Sequence, residues 1–147
     1  MRLAPVRRKT LLLLHVVSSV GWLGVTAGNL VLALVAFDRP VLYQAMELLG
    51  DYVVLPMGLL SLVTGVLVAV GTKWGLIRYR WVLVKLITTV VALVATVFAL
   101  RSGLHAAAAG ESGAGADVLV ASCVSLTIYT VNTVLSVFKP WGRTRWG

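Results

Sequence analysis

The sequence predicts an all-α polytopic membrane protein, an antiparallel bundle of four transmembrane helices with both termini cytoplasmic. Three observations carry this reading. The 147 residues are 59% hydrophobic and only 12% charged, about half the charged fraction of a soluble domain. The charges leave four apolar stretches, at about 10–37, 52–72, 81–101 and 118–138, each near the ~20 residues an α-helix needs to cross a bilayer. The charges between these stretches also alternate in sign. Helices rather than strands are expected, because backbone groups in hydrocarbon must be paired within their own segment. The whole chain, 1–147, is one membrane domain.

Helix 1 contains no Lys, Arg, Asp or Glu. His15, Ser18, Trp22, Thr26 and Asn29 recur on one face at three- and four-residue steps, while Gly21, Gly24 and Gly28 mark another face. Small residues spaced this way let helix backbones approach closely in lipid. The connection from Asp38 to Asp51 is expected to contain a helical turn started by Pro40, with Tyr43, Glu47 and Asp51 in register. Helix 2 carries a second small-residue ladder, Gly58, Ser61 and Gly65, and a kink or break is expected at Pro56.

Helix 3 shows Thr88, Ala92, Ala95 or Thr96, and Ala99 along one face. Its Lys85 is expected to snorkel to the headgroups. The stretch HAAAAGESGAGAD reads as a flexible solvated connector. Helix 4 bears a stripe of Ser122, Ser125, Tyr129, Asn132 or Thr133, and Ser136. Two polar stripes in one bundle are expected to meet across its interior. Cys123 beside the stripe reads as a packed thiol.

Arg2, Arg7, Arg8 and Lys9 precede helix 1, Lys73, Arg78 and Arg80 separate helices 2 and 3, and Lys139, Arg143 and Arg145 follow helix 4. All five acids, Asp38, Glu47, Asp51, Glu111 and Asp117, fall in or beside the other two connections. By the positive-inside rule both termini are cytoplasmic, and Trp74, Trp81, Trp141 and Trp146 mark the same interface. The expected location is the cell inner (plasma) membrane. The net charge of +8 is accounted for by anionic lipid headgroups and does not call for nucleic acid. One cysteine permits no intramolecular disulfide, and the first apolar run, too long and without a small-residue cleavage site, does not read as a cleaved signal peptide.

Polar groups in a membrane interior are expensive and face a partner or a cavity. His15, Lys85 and Asn132 lie toward the cytoplasmic side, whereas Asn29, Glu47, Asp51, Arg101 and His105 lie toward the outer side. In the outer cluster Glu47 and Asp51 share a helix face. Asp51 is the first candidate for acid or base, with Glu47, Arg101 and His105 assisting. An Asp51–Arg101 ion pair is the structural alternative. Asn29, Trp22, Tyr129, Asn132 and His15 are the candidate substrate-binding residues. His15 reads first as a hydrogen-bonded core residue, meeting Asn132.

The segments LHVVSSVGWLG, AMELLGDYVVLP, SLVTGVLVAVGTKWGLIRYRWVLVKL and LSVFKPWGRTRWG together resemble small bacterial four-helix integral membrane proteins of unknown function. The His15-x6-Trp22-x-Gly24 pattern of the first helix is similar to that of the copper-resistance D-type membrane domain. The resemblance implies pattern membership for His15, Trp22 and Gly24 and no assigned activity. Set against that pattern, Asp51 stands in place of an aromatic residue and Asn132 in place of an apolar one. The third connection is shorter, and a histidine is missing near Ala121.

The leading expectation is an intra-bundle cavity that binds a lipophilic small molecule and converts it by cofactor-free acid–base chemistry of the isomerase or cyclase kind. No metal site is expected, since no His, Cys and carboxylate cluster has ligand spacing. One alternative is a haem or redox subunit using His15. His15 and His105 lie on opposite sides of the bilayer, so they cannot ligate one haem together. The other alternative is a small exporter or accessory subunit, with homo-oligomer contacts through the glycine-rich faces. The lipid bilayer is the expected partner in every case.

Overall fold

The computed structural model describes residues 4–72 and 74–145; Arg2, Lys73 and Trp146, named above, lie outside them. It is all-helical. Four helices are long and apolar enough to cross a membrane: α1 (Pro5–Ala36), α2 (Val41–Val70), α3 (Arg80–Ala108) and α4 (Ala114–Phe138). Each packs against its neighbours in sequence, and α4 closes back on α1. Leu13, Val20, Val31, Val63 and Val120 are each more than half exposed, a surface suited to lipid and costly in water.

The helices are longer than hydropathy predicts. Pro5 sits in the first turn of α1, where a missing N–H is harmless. The α1–α2 connection shrinks because Val41 already begins α2. Most of the predicted connector after Arg101 is helical as well, since its alanines are strong helix formers. Only residues 109–113 remain between α3 and α4, turning on Gly110 (φ 80°) and Gly113 (φ 86°).

Pro56 does not break α2, which runs from Val41 to Val70 as one helix. A π-turn, Gly50–Val54, precedes it, and the Leu55 N–H donates to the Gly50 carbonyl. This widened turn accommodates a proline that lacks an N–H and crowds the preceding turn. A second π-turn, Thr96–Leu100, interrupts α3, with the Arg101 N–H on the Thr96 carbonyl. There the Thr96 hydroxyl donates to the Ala92 carbonyl at 2.8 Å and competes with the helix ladder.

The core follows the polar stripe of α1, whose buried residues are Ser18, Trp22, Thr26, Asn29, Ala33 and Ala36. Gly58 and Gly65 of α2 face this stripe: a Cβ at Gly58 would lie 2.9 Å from Trp22, and one at Gly65 would lie 2.9 Å from His15. The glycines of α1 behave differently. Gly24 and Gly28 are exposed with nothing within 4 Å of a built Cβ, so they pack against no other helix of the chain. Cys123 is exposed as well, because helix 4 turns Ser122 inward instead.

The chain ends in a clamp that hydropathy does not predict. Lys139 and Trp141 take positive φ values of 47° and 68°, flanking Pro140, which disfavours helix in the residue before it. The turn carries Thr144 back to the α2–α3 connection. The Thr144 N–H donates to the Arg78 carbonyl at 2.9 Å, its hydroxyl donates to the Ile77 carbonyl at 2.6 Å, and Tyr79 bridges Arg143.

Candidate functional site

Chemistry-bearing side chains fall at three levels along the bundle. At the end that carries the acids, α2 and α3 are clasped by two pairs. Arg101 Nη2 donates to Asp51 Oδ2 at 3.0 Å, and His105 Nε2 lies 2.9 Å from Glu47 Oε1. A four-residue step along α2 matches a four-residue step back along α3, as antiparallel helices require. The four predicted catalytic residues are therefore brought together, but as two acid–base pairs rather than as a shared pair of carboxylates. The Arg101 and His105 side chains are 50% and 59% exposed, so solvent weakens the attraction. An Asp51→Asn and Arg101→Gln double-mutant cycle is expected to give a coupling below about 1 kcal/mol. Thermal unfolding in mild detergent measures it.

One level deeper, where the polar faces of α1 and α4 meet, lies a narrow, partly open gap, hereafter the chamber. Thr26, Asn29, Val54, Thr96, Leu100, Ser122, Ser125 and Tyr129 line it, and its volume is ≈ 10 Å³, room for about one water. The chamber is rich in acceptors. Thr26, Thr96 and Ser122 donate their hydroxyl protons to carbonyls of their own helices, at 2.9, 2.8 and 2.8 Å, which leaves oxygen lone pairs facing inward. The Tyr129 hydroxyl approaches Thr96. Asn29 is only 6% exposed, and its Oδ1 makes no hydrogen bond within the described residues. The Trp22 Nε1–H, buried on the same face, also has no partner there. The Trp22 ring sits 4.2 Å from that of Tyr129. Both π-turns flank the chamber, since Val54 ends one and Leu100 ends the other.

At the third level, toward the termini, hydrogen bonds cross between helices. His15 Nδ1 is 3.0 Å from the Ser61 carbonyl and 3.3 Å from the Thr64 hydroxyl. A carbonyl only accepts, so Nδ1 carries a proton in this contact. Asn132 does not meet His15: its Oδ1 accepts from Thr88 at 2.8 Å and its Nδ2 donates to Thr89 at 3.3 Å. The cause is geometric, because α2 packs against α1 through glycines and takes the His15 ring. Lys85 turns to α4 and donates to the Ser136 hydroxyl.

His15 and His105 meet α2 around Ser61 and Glu47, about 20 Å apart at 1.5 Å per residue, so one haem cannot bridge them. The described residues contain no group of three His, Cys, Asp or Glu side chains placed to hold a metal ion. A second, open cleft of ≈ 220 Å³ lies at the acidic end, lined by Phe37, Tyr43, Glu111 and small residues of the connections.

Sequence reasoning missed Thr96 as a chamber residue, weighing it only as a packing alternative to Ala95. It also missed Ser61 and Thr64 as partners of His15. The available signal was their place on small-residue faces, where a hydroxyl that back-bonds its own helix packs like an alanine. No known protein family, curated protein or solved structure matches the chain.

Proposed function

We propose that this chain is a multi-pass protein of the cell inner membrane, with cytoplasmic termini, that binds a small lipophilic molecule inside its bundle. The observation that carries the reading is the Asn29 carbonyl. Burying an acceptor without a partner costs about 1–3 kcal/mol, and a polar group held so in a membrane interior marks a functional position. The acceptor-rich lining favours a guest that presents a hydroxyl or N–H donor to Asn29 Oδ1. The chamber is narrow, so admission of the guest requires α2 and α3 to part. The π-turns beside it, with their stretched i to i+5 hydrogen bonds, are where such helices yield.

The test is chemical. Protein purified in mild detergent is extracted with organic solvent, and the extract is compared by mass spectrometry with that of the Asn29→Leu variant. A donor-bearing lipophile enriched in the wild type and lost from the variant is the expected result. Identical extracts overturn the reading.

A conversion step, cofactor-free and of the isomerase or cyclase kind, is the second reading. The carboxylate–imidazole pair of Glu47 and His105 favours it. Asp51 is its acid or base, one helical turn from the chamber residue Val54. For the molecule recovered above, Asp51→Asn and Glu47→Gln are expected to lower turnover at least about 100-fold while binding persists. Full turnover in folded variants removes the catalytic assignment.

A further inference from the structure

Lys85 is the one charged residue of α3 that is partly buried rather than exposed, and no carboxylate pairs with it among the described residues. All five Asp and Glu side chains stand in or beside the two connections at the opposite end, and both ion pairs among the described residues are there. An ammonium has three N–H donors. Ser136 accepts from one of them, and the Ser136 hydroxyl in turn donates to the Asn132 carbonyl at 2.9 Å. The other two have no acceptor among the described residues. Lys85 therefore sits in the α3–α4 groove as a half-buried charge with donors to spare, a costly state unless an anion answers it.

The clamp at the chain terminus gives this groove a floor. By tying Thr144 and Arg143 to Ile77, Arg78 and Tyr79, it brings Arg78 and Arg143, with the neighbouring Arg80, to the end of the bundle nearest Lys85, all three exposed. Lys139 joins them, its Nζ 5.3 Å from the centre of the Trp74 ring. None of these cations has a carboxylate partner among the described residues. Lys85 lies five residues into α3, about 7 Å above this rim. A flat basic surface attracts anions without depth, whereas a rim of arginines beneath one recessed lysine matches an oxyanion that enters the groove.

We infer that the α3–α4 groove binds the phosphate of an anionic lipid headgroup, with Lys85 as the recessed contact and Arg78, Arg80 and Arg143 at the rim. The acyl chains then lie along the apolar outer faces of α3 and α4, where Ile87, Val91 and Val137 are exposed. A phosphate offers several charged acceptors at once, which suits an ammonium with two unused donors. This site is independent of the chamber at Asn29.

Titration with phosphatidylglycerol, followed by native mass spectrometry of the full chain, tests the inference. Lys85→Gln retains a donor for Ser136 and is expected to bind the lipid about tenfold more weakly. Lys85→Arg stays within about twofold of wild type. Wild-type binding is expected to persist at about 0.5 M salt, where attraction by the exposed rim alone is screened. Phosphatidylcholine, whose phosphodiester is neutralised by its own ammonium, is expected to bind at least about fivefold more weakly. Displacement by millimolar inorganic phosphate assigns the site to a free phosphate; retention of the lipid assigns it to the headgroup. Unchanged binding in folded Lys85→Gln overturns the inference. If that variant does not fold, Arg80→Gln/Arg143→Gln takes its place, and wild-type binding by this double variant overturns it equally.

Discussion

Gly58→Val is expected to destabilise the bundle by about 3 kcal/mol, the upper part of the range for overpacking a filled interior. A Cβ at Gly58 would stand 2.6 Å from Leu93 Cδ2 and 2.9 Å from Trp22 Cζ2. The Leu93 methyl is the tip of a flexible side chain and can move. The Trp22 ring cannot move as freely, because Tyr129 holds its other side at 4.2 Å. The strain must then pass either to the α1–α4 contact or to the separation of α1 and α2. Gly28→Ala is the control: nothing lies within 4 Å of its Cβ, and alanine is the better helix former. That variant is expected to unfold at or slightly above the wild-type midpoint. Thermal unfolding in mild detergent compares the two. Equal midpoints for Gly58→Val and wild type would show that α1 and α2 do not pack through this glycine.

Much of this architecture is legible in the sequence, for one physical reason. A membrane helix must be apolar over its whole length, so the few polar residues that remain report where its inner face is. Of the predicted stripes, Ser18, Trp22, Thr26 and Asn29 on α1 and Ser122, Tyr129 and Asn132 on α4 are buried, while His15, Ser125 and Ser136 are partly buried. The Asp51–Arg101 pair was legible too, since charge placement brought α2 and α3 together at that end.

What escaped the sequence depends on backbone detail or on competition between contacts. A π-turn differs from an α-turn by one added residue and leaves no hydropathy signature; only Pro56 hinted at one of the two. The clamp at Thr144 rests on backbone hydrogen bonds of a polar tail, and composition does not see them. The glycines of α1 show the limit most directly. Gly21, Gly24 and Gly28 have the spacing of a packing face, yet only Gly21 meets another helix, at Met57, because the helix can bury only a limited arc and the polar stripe occupies most of it. Spacing states what a face permits, and the neighbours decide whether it is used.

Asn29→Leu carries the sharpest expectation, because stability and binding should move in opposite directions. Leucine matches asparagine in branching and heavy-atom count, though its methyl groups are bulkier, and brings no acceptor into the chamber. If Oδ1 has no partner in the unliganded protein, the substitution removes a desolvation penalty of about 1–3 kcal/mol and raises the unfolding midpoint. The same change deletes the acceptor that the proposed guest requires, so the lipophile recovered from wild-type protein is expected to be absent from the variant. Stability surrendered to keep a binding group in place is a general property of functional sites. A packing role for Asn29 gives the opposite sign, since an amide that held helices together would be missed and the midpoint would fall. Asn132→Leu supplies the contrast within the same bundle. Its amide is engaged at both ends by Thr88 and Thr89, so its loss removes two hydrogen bonds between helices and is expected to destabilise by about 1–2 kcal/mol. Opposite shifts for two buried asparagines, read in one unfolding experiment, separate an acceptor kept for a ligand from one kept for the fold.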